Sequence, residues 1–429
     1  MKKKILATVL AAAMALSLAA CGDTNESSTQ ASTTSTTSTA STEKTEASTE
    51  YTADDPGGVI TVWAAENIVE FTKGKAEEYL AANYPNWTVV VEAVGEGDAA
   101  GNMITDVEGG ADLFGFAQDQ LSRLVSAGAV MPITGDYASW IQSENAGGAT
   151  AAATVGDVVY AFPMTADNGY FLYYDSSVIT DPTTLESILE QCEAAGKNFY
   201  FDLGSWYNSA FFFGAGCECY YDTDSDGNFT DCHVNYASDE GLLALKAMIK
   251  MVESSCFQAG SSVSNAVEWA AIVDGTWDSG AAKEVLGDNY ACAKLPTVTV
   301  DGTTFQMGGF NGLKLLGVKP QEDATKLQVC LGLAQYLTNE ECQLGRFNEF
   351  GWGPSNVAAQ QNDAVKADPA LAALNEQFEY TVGQGQYPGD FWSTGLDGDL
   401  TAGTLNSGMS DAELMDYLTK LQDLLAAAR

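Results

Sequence analysis

The chain has 429 residues, of which 46% are hydrophobic and 10% aromatic, so it is long enough to form two lobes with packed cores. Its 58 acidic and 19 basic residues give a formal net charge of −39 at pH 7. A polyanion of this size repels nucleic acid and anionic lipid headgroups, so we expect neither as a partner. The only histidine is His233, which disfavours zinc centres and histidine-based acid–base chemistry. We therefore expect no metal site and no cofactor.

The first twenty residues are typical of an export signal. Residues 2–4 are lysines, and an alanine-rich apolar run follows that is too short for a comfortable membrane span. The run ends in LSLAAC at Cys21, and Gly22 comes next. This ending is similar to the lipobox of bacterial lipoproteins, which implies cleavage before Cys21 and a diacylglycerol on its thiol. An ordinary secretory signal with a chance cysteine is the alternative.

Residues 21–53 form the next segment, with the lipidated cysteine at its start. Residues 22–53 are nearly all Ser, Thr, Ala, Glu and Asn and have no apolar periodicity, which predicts a disordered tether. A flexible coil of this length spans roughly 30 Å. The sequence thus predicts a folded body outside the cell, anchored to the cell membrane by its N-terminal lipid.

Strands and helices alternate from residue 58 onward. A strand over 58–65 (GVITVWAA) is followed by an amphipathic helix over 69–85, a second strand over 87–94, a helical stretch over 99–110 and a third strand over 111–117. This order predicts a parallel sheet covered by helices.

The same alternation continues to the C-terminus, so the fold class is α/β throughout. The later predicted elements are a helix over 118–133, two strands around Pro163, a helix over 183–197, a strand over 198–204, a helix over 240–255, a glycine-rich strand segment over 305–318, a helix pair over 324–351 and a helix over 411–429.

An acidic loop and three cysteines lie between the predicted elements of the middle region. Cys217, Cys219 and Cys232 flank a predicted hairpin, where a cross-strand disulfide would fit. The other cysteines of the folded part are scattered through helical or strand patterns and fit buried free thiols, namely Cys192, Cys256, Cys292, Cys330 and Cys342. The loop over 222–231 resembles the start of a calcium-binding EF-hand loop, but His233 stands at the twelfth position, where a bidentate glutamate is required. An exposed hairpin tip is therefore the favoured interpretation.

Ligands of open α/β sheets bind beyond the carboxyl ends of the strands, and polar or aromatic residues follow several predicted strands here. Aromatic rings can cover the apolar face of a sugar, while carboxylates and amides bind its hydroxyls. Few basic residues occur at these positions, which favours an uncharged ligand. The candidate ligand-binding residues are Glu66, Asn67, Asp119, Gln120, Asp167, Trp206, Tyr207, Trp277 and Trp392.

Four of these candidates also have a purely structural interpretation. Asp119 fits a helix N-cap, Asp167 fits a turn, and Trp277 and Trp392 fit buried packing positions.

The stretch GSWYNSAFFF over 204–213 divides between site and core. We expect Trp206 and Tyr207 to face the ligand from the first turn of a helix, and the phenylalanines at 211–213 to pack in the core.

Seven segments in order resemble the solute-binding proteins of bacterial carbohydrate ABC importers, specifically the maltose- and maltodextrin-binding proteins. They are ITVWAAEN, ADLFGFAQDQLSRLVSAGAVMPI, VVYAFPMTADNGYFLYYD, DGTWDSG, YACAKLPTV, LAQYLTNEECQ and GWGPSN, and the resemblance covers about residues 58–429. It implies a type II two-lobe clamp that captures a maltodextrin-like oligosaccharide and presents it to the permease subunits of an ABC transporter. It further implies a monomer with no catalytic residues.

The resemblance also implies where the chain passes between the lobes, near residues 161–166, 306–311 and 351–356. The N-terminal lobe would comprise 54–162 plus about 308–353, and the C-terminal lobe about 163–307 plus 354–429. By the same resemblance the polar ligand contacts fall on Glu66, Asn67, Asp119 and Asp167, and the stacking rings on Tyr207, Trp277 and Trp392.

Departures from the family pattern bear on the choice of sugar. Ile68 and Gln120 stand where the maltose binder has basic residues, and Trp206 adds a ring. These changes suit a longer glucan or another neutral oligosaccharide. A surface glycoside hydrolase that uses two carboxylates is the alternative from another class of protein.

Overall fold

The computed structural model describes residues 56–428, apart from the side chain of Ser205. The predicted export signal, Cys21 and the tether lie outside the described residues. Within residues 56–428, no helix combines the length and apolar character needed to span a bilayer.

Eighteen strands occur in the described part of the chain. In chain order they are β1 Gly58–Ala64, β2 Trp87–Ala93, β3 Leu113–Ala117, β4 Thr154–Val155, β5 Val158–Val159, β6 Ala161–Pro163, β7 Phe171–Asp175, β8 Asn198–Phe201, β9 Cys219–Thr223, β10 Phe229–Val234, β11 Phe257–Ala259, β12 Trp269–Asp274, β13 Tyr290–Ala293, β14 Thr297–Val300, β15 Thr303–Gln306, β16 Phe310–Asn311, β17 Lys314–Val318 and β18 Val382–Gly383.

Fifteen α-helices occur in residues 56–428. They are α1 Val69–Asn83, α2 Glu96–Thr105, α3 Leu121–Ser126, α4 Gly135–Glu144, α5 Gly147–Ala152, α6 Leu185–Ala195, α7 Ser205–Ala215, α8 Asp239–Val252, α9 Ser279–Leu286, α10 Ala324–Leu337, α11 Glu340–Phe350, α12 Asp363–Ala367, α13 Pro369–Phe378, α14 Leu396–Thr401 and α15 Asp411–Ala427. Short 3₁₀ turns cover Glu66–Ile68, Gln118–Gln120, Thr276–Asp278, Gly287–Asn289, Ala359–Gln361 and Gly389–Trp392.

Two five-stranded sheets form the framework. The first has the order β2-β1-β3-β17-β6, and β1 is parallel to both β2 and β3, as the sequence predicts. Strand β17, which arrives about two hundred residues later, is antiparallel to β3 and β6. The predicted parallel sheet is therefore a mixed sheet, because a distant strand inserts beside its last parallel member.

The second sheet has the order β11-β8-β12-β7-β13. Its strand β8 is parallel to β11 and β12, whereas β7 is antiparallel to β12 and β13. Each five-stranded sheet has its own hydrophobic core. Phe114, Phe116 and Leu315 are fully buried at the first sheet, and Phe201 and Leu245 at the second.

Helix α7 carries the segment GSWYNSAFFF and begins at Ser205. Phe211 and Phe212 are fully buried, and Phe213 packs half-buried against the same core. The prediction that these three rings belong to the core is confirmed.

Strands β9 and β10 form the predicted hairpin around the acidic loop. The carboxylate of Asp224 accepts hydrogen bonds from the backbone N–H groups of Asp226 and Asn228, which is the turn chemistry expected of a hairpin tip. Cys219 and Cys232 lie on the two strands, where Cys219 pairs with Val234 and Cys232 with Tyr221, and both are reduced thiols in this structure.

Three strands end directly in short 3₁₀ turns. Glu66–Ile68 follows β1, Gln118–Gln120 follows β3, and Thr276–Asp278 follows β12. Such turns take the chain off the sheet at once, so the side chains at these positions lie at the carboxyl edge of their strand. Gly275 permits the third turn, because a Cβ there would collide with the indole of Trp277.

Candidate ligand-binding site

A cavity of about 660 Å³ lies at the carboxyl ends of β1, β3 and β12. This volume is within the range of small-molecule binding sites. Its lining consists of four indoles (Trp206, Trp277, Trp352 and Trp392), four carboxyl groups (Glu66, Glu96, Asp119 and Asp278), four amides (Asn67, Gln120, Asn168 and Gln384), one ammonium (Lys314), and Ala65, Gly97 and Ala117. Large apolar surfaces and hydrogen-bonding groups thus face one space.

Most of the sequence-predicted site residues meet in this cavity. They come from the 3₁₀ turns after β1, β3 and β12, from the start of α7, and from the turn Gly389–Trp392. The predicted residues in the lining are Glu66, Asn67, Asp119, Gln120, Trp206, Trp277 and Trp392, while Asp167 and Tyr207 are not part of it.

Tyr207 lies behind the cavity wall and corrects the sequence expectation. Its ring stacks on Tyr170 with centroids 4.7 Å apart, and only 6% of the residue is exposed. Consecutive residues of a helix point about 100° apart, and Tyr207 lies on the side of α7 that packs into the core. Trp206 takes the cavity side, with its ring stacked at 5.1 Å on Phe310.

Asp167 is also a supporting residue in this structure, and it is fully buried. Its Oδ2 accepts a hydrogen bond from the Thr276 hydroxyl at 2.5 Å and another from the Gly353 backbone N–H at 2.6 Å. These bonds hold the turn that carries Trp277 and the loop that carries Trp352. Asp167, for which the resemblance implies a direct sugar contact, therefore lies outside the cavity lining in this structure.

An amide–carboxylate network forms one wall, comprising Arg123, Gln120, Asp119, Gln384 and Asn168. Arg123 Nη1 donates to Gln120 Oε1 at 2.5 Å, and Gln120 Nε2 donates in turn to Asp119 Oδ2. Gln384 Nε2 donates to Asp119 Oδ1 at 2.8 Å, and Asn168 Nδ2 donates to Gln384 Oε1 at 3.0 Å. Both oxygens of the buried carboxyl group are therefore bonded by donors before any ligand arrives.

Burial raises the pKa of Asp119 from its ordinary value to about 7, while the Gln120 amide bond and the Arg123 charge oppose the rise. Position 120 is Gln where the maltose binder has a basic residue. In the structure, Arg123 donates a hydrogen bond to Gln120, which in turn donates to Asp119. The guanidinium is therefore linked to the aspartate through the Gln120 amide.

A lysine–indole cluster, comprising Lys314, Trp277 and Trp352, lies on another part of the lining. The Lys314 ammonium lies 4.0 Å from the ring centroid of Trp352 and 4.7 Å from that of Trp277. Lys314 is the first residue of β17, and its backbone carbonyl accepts from Met164 and Thr165. Hydrogen bonds of the first sheet therefore fix the backbone position of Lys314, from which its side chain extends.

The lining is richer in acid than in base. None of the ion pairs among residues 56–428 includes Glu66, Glu96, Asp278 or Asp119. Asp278 accepts a hydrogen bond from the Val263 backbone N–H at 2.9 Å. Four carboxyl groups facing one ammonium disfavour an anionic ligand.

Sequence reasoning missed several lining residues, and some of them carried a signal. Glu96 and Gly97 follow β2 closely, so the strand-end rule that selected Glu66 would have selected them too. Lys314 is a lone charge in the apolar segment GLKLLGV. Trp352 lies in the segment GWGPSN, which the resemblance marked only as a passage between the lobes. Gln384 follows the two-residue strand β18, which the sequence pattern did not predict.

The mixed sheets and the flanking helices give the chain an α/β fold that matches two-lobe, maltose-binding-protein-like structures. Residues 68–373 match the family of bacterial extracellular solute-binding proteins, and the chain belongs to that family.

Solved structures with this fold cover nearly the whole described chain. One, solved with acarbose, has a TM-score of 0.74 and 25% identity and covers 86% of this chain and 98% of its own. The maltodextrin-binding protein MalE1 of L. casei BL23, without ligand, has a TM-score of 0.70 and 23% identity, covering 87% and 100%. MalX from Streptococcus pneumoniae, in complex with maltopentaose, has a TM-score of 0.68 and 17% identity, covering 85% and 99%. Among curated protein sequences, none matches this chain.

Proposed function

We propose that the protein captures a neutral oligosaccharide outside the cell, with a maltodextrin or other α-glucan as the first candidate, and delivers it to the permease of an ABC importer. The observation that carries this proposal is the cavity in which four indoles face carboxylates and amides. Indoles bury the C–H faces of sugar rings, and the polar groups accept and donate to the hydroxyls. Another neutral oligosaccharide is the closest alternative.

Three structures with the same fold support an α-glucan as the first ligand to test. MalE1 is named as a maltodextrin-binding protein, MalX was solved with maltopentaose, and another similar structure was solved with acarbose. Four indoles spread over the cavity lining suit a ligand of several sugar rings better than a monosaccharide.

The remaining parts of the proposal concern the frame around the site. The lobes would be 54–162 plus about 308–353 and about 163–307 plus 354–429, closing on the ligand as a clamp. The nine sequence-predicted site residues divide into seven expected ligand contacts and two supports, Asp167 and Tyr207. We further propose a monomer held at the cell membrane by a lipid on Cys21.

A glycoside hydrolase is the second candidate, and one observation favours it. The pKa of Asp119 is raised to about 7 by burial, which is the property of a general acid. Against this role, each oxygen of the carboxyl group already accepts a hydrogen bond from an amide in the network. An acid that must give its proton to a glycosidic oxygen needs to face that oxygen, so we favour a binding protein without catalysis.

The test is calorimetric titration of the purified full-length chain with maltodextrins and with xylo-, manno- and fructo-oligosaccharides. We expect saturable one-to-one binding of at least one neutral series, with the α-glucans tightest. Heat from another series alone would replace the α-glucan, and no binding in any series would overturn sugar capture. New reducing ends after incubation with the bound sugar would replace the binding protein by the hydrolase.

A further inference from the structure

The ammonium of Lys314 is the most unusual polar group in the cavity lining. Lys314 is 5% exposed, and its Nζ is fully buried without a hydrogen-bond partner. The ion pairs of the described residues do not include it either. A lysine ammonium has three N–H donors, and burying them unbonded is costly.

The two indoles offset only part of that cost. Contact of a desolvated ammonium with an aromatic face stabilises it by about 2 kcal/mol, but it satisfies none of the three donors. Trp352 is 2% exposed and packed in a buried cluster, whereas Trp277 is half-buried at the cavity wall. An oxygen atom that enters the cavity can therefore accept a hydrogen bond from the ammonium, which the indoles cannot do.

The surroundings restrict what that acceptor can be. The same cavity is lined by four acidic residues, Glu66, Glu96, Asp119 and Asp278, and by one basic residue, Lys314. Binding of a carboxylate or phosphate there is therefore disfavoured. A hydroxyl oxygen carries no net charge and accepts from an ammonium readily. The carboxyl groups can at the same time accept from other hydroxyls of the ligand.

We propose that Lys314 is a specificity-determining residue that donates a hydrogen bond to a hydroxyl oxygen of the bound sugar, exchanging its contact with Trp277 for that bond. The flexible four-carbon stem of lysine permits this exchange while the backbone stays fixed in β17. The inference rests on the proposed function, because it names a contact of the same cavity with the same class of ligand.

The experiment compares Lys314→Met with the wild-type chain by calorimetric titration with the tightest oligosaccharide of the panel. Methionine keeps a long apolar side chain between the indoles and removes the donors. We expect affinity to fall by about tenfold to a hundredfold, the range for losing a hydrogen bond to a charged group. Lys314→Arg keeps donors and should recover part of the loss.

A matched control is available in Lys294→Met. The Lys294 ammonium lies 4.6 Å from the ring centroid of Tyr380 and also donates to Gln306 Oε1, so it matches Lys314 in its aromatic contact while lying outside the cavity lining. We expect its affinity to stay within twofold of wild type. Equal losses in Lys294→Met and Lys314→Met would assign the effect to general destabilisation and overturn the proposal.

Unfolding by urea without sugar distinguishes a ligand contact from a structural role. Removing an unpaired buried charge should leave the stability of Lys314→Met equal to or above that of wild type. Failure of both Lys314→Met and Lys314→Gln to fold would make the lysine a structural residue and overturn the proposal. Wild-type affinity in a stable Lys314→Met would also overturn it, while leaving sugar capture intact.

A final arm tests the charge of the acceptor. A galacturonate oligosaccharide should bind the wild-type chain more weakly than the neutral sugar. Tighter binding of the galacturonate, lost in Lys314→Met, would make the acceptor a carboxylate and overturn the assignment to a hydroxyl. Absence of binding by every sugar in the wild-type chain would instead remove the proposed function on which the inference rests.

Discussion

The amide–carboxylate network and the lysine–indole cluster line the same cavity but differ in how completely their polar groups are bonded. In the network, both oxygens of Asp119 and the carbonyl of Gln384 are bonded within the protein. In the cluster, the side-chain nitrogens Lys314 Nζ and Trp352 Nε1 are buried without hydrogen-bond partners. Polar groups that are hydrogen-bonded within the protein keep one geometry, whereas unpartnered polar groups can form new hydrogen bonds when a ligand binds. We therefore expect the network to set the pH response of stability, the buried indole of Trp352 to support the fold, and the Lys314 ammonium to set affinity.

Breaking the cluster at its buried end should have the largest effect. Trp352 is 2% exposed and packs with Ile68 and Met164. Trp352→Ala should lower the free energy of unfolding by about 3–5 kcal/mol, since it removes a buried indole and leaves a cavity. Urea unfolding measures this loss. A loss below about 1 kcal/mol would mean that the cluster is not part of the packed framework.

The network should make the stability of the protein depend on pH. The folded-state pKa of Asp119 is raised to about 7 from an ordinary 3.8, so between these values the folded state binds a proton that the unfolded state has lost. Stability from this group is therefore present at low pH and falls as pH rises from about 4 to about 7, by roughly 2–4 kcal/mol. Urea unfolding at pH 5 and pH 8 measures the change.

Asp119→Asn is the control for that pH response, because it removes the titrating group. Whatever its absolute stability, we expect the variant to show a smaller drop between pH 5 and pH 8 than the wild-type chain. Parallel pH curves for the two proteins would mean that Asp119 titrates near its ordinary value in the folded state.

Much of the fold and part of the site follow from local sequence rules. The order of strands and helices predicts the parallel part of the first sheet, because β1, β2 and β3 come from one continuous segment. The strand-end rule likewise places Glu66 and Asp119 in the cavity lining. These predictions succeed because each needs only a strand and the residues directly after it.

The parts that sequence reasoning missed depend on contacts between distant segments. Strand β17 joins the first sheet from a point far along the chain, which makes that sheet mixed and delivers Lys314 to the cavity. Gln384 reaches Asp119 across 265 positions. Tyr207 is absent from the lining for a different reason, since the sequence placed both Trp206 and Tyr207 in the first turn of the helix but could not fix which of the two faces the cavity.

Removing the half-buried indoles should affect binding more than folding. We expect Trp277→Ala and Trp392→Ala each to weaken oligosaccharide binding by on the order of 1–3 kcal/mol, since each removes an aromatic contact surface. Trp140→Ala is a matched control, because Trp140 is also half-buried but packs on Phe162 outside the cavity lining. Unchanged affinity in both cavity variants would reassign these rings to packing.

The smallest expected effect on oligosaccharide affinity comes from Tyr207, which neighbours Trp206 at the start of α7. Comparing the two residues shows which of them belongs to the aromatic lining. The Tyr207 hydroxyl makes a long hydrogen bond of 3.5 Å to Asp274 and lies behind the wall. Tyr207→Phe should therefore leave oligosaccharide affinity within about twofold, because the ring and its stacking on Tyr170 remain. Trp206→Leu should weaken binding about tenfold, as Trp206 lines the cavity directly.

Calorimetric titration of the two variants side by side decides between the helix face seen in the structure and the face expected from the family pattern. Loss of affinity in Tyr207→Phe with none in Trp206→Leu would mean that the ligand-bound helix presents the tyrosine. Such a result would require α7 to turn about its axis by roughly 100° when the ligand binds, because that angle separates neighbouring side chains. The aromatic surface of the site would then form only when the ligand binds, instead of being present in the ligand-free protein.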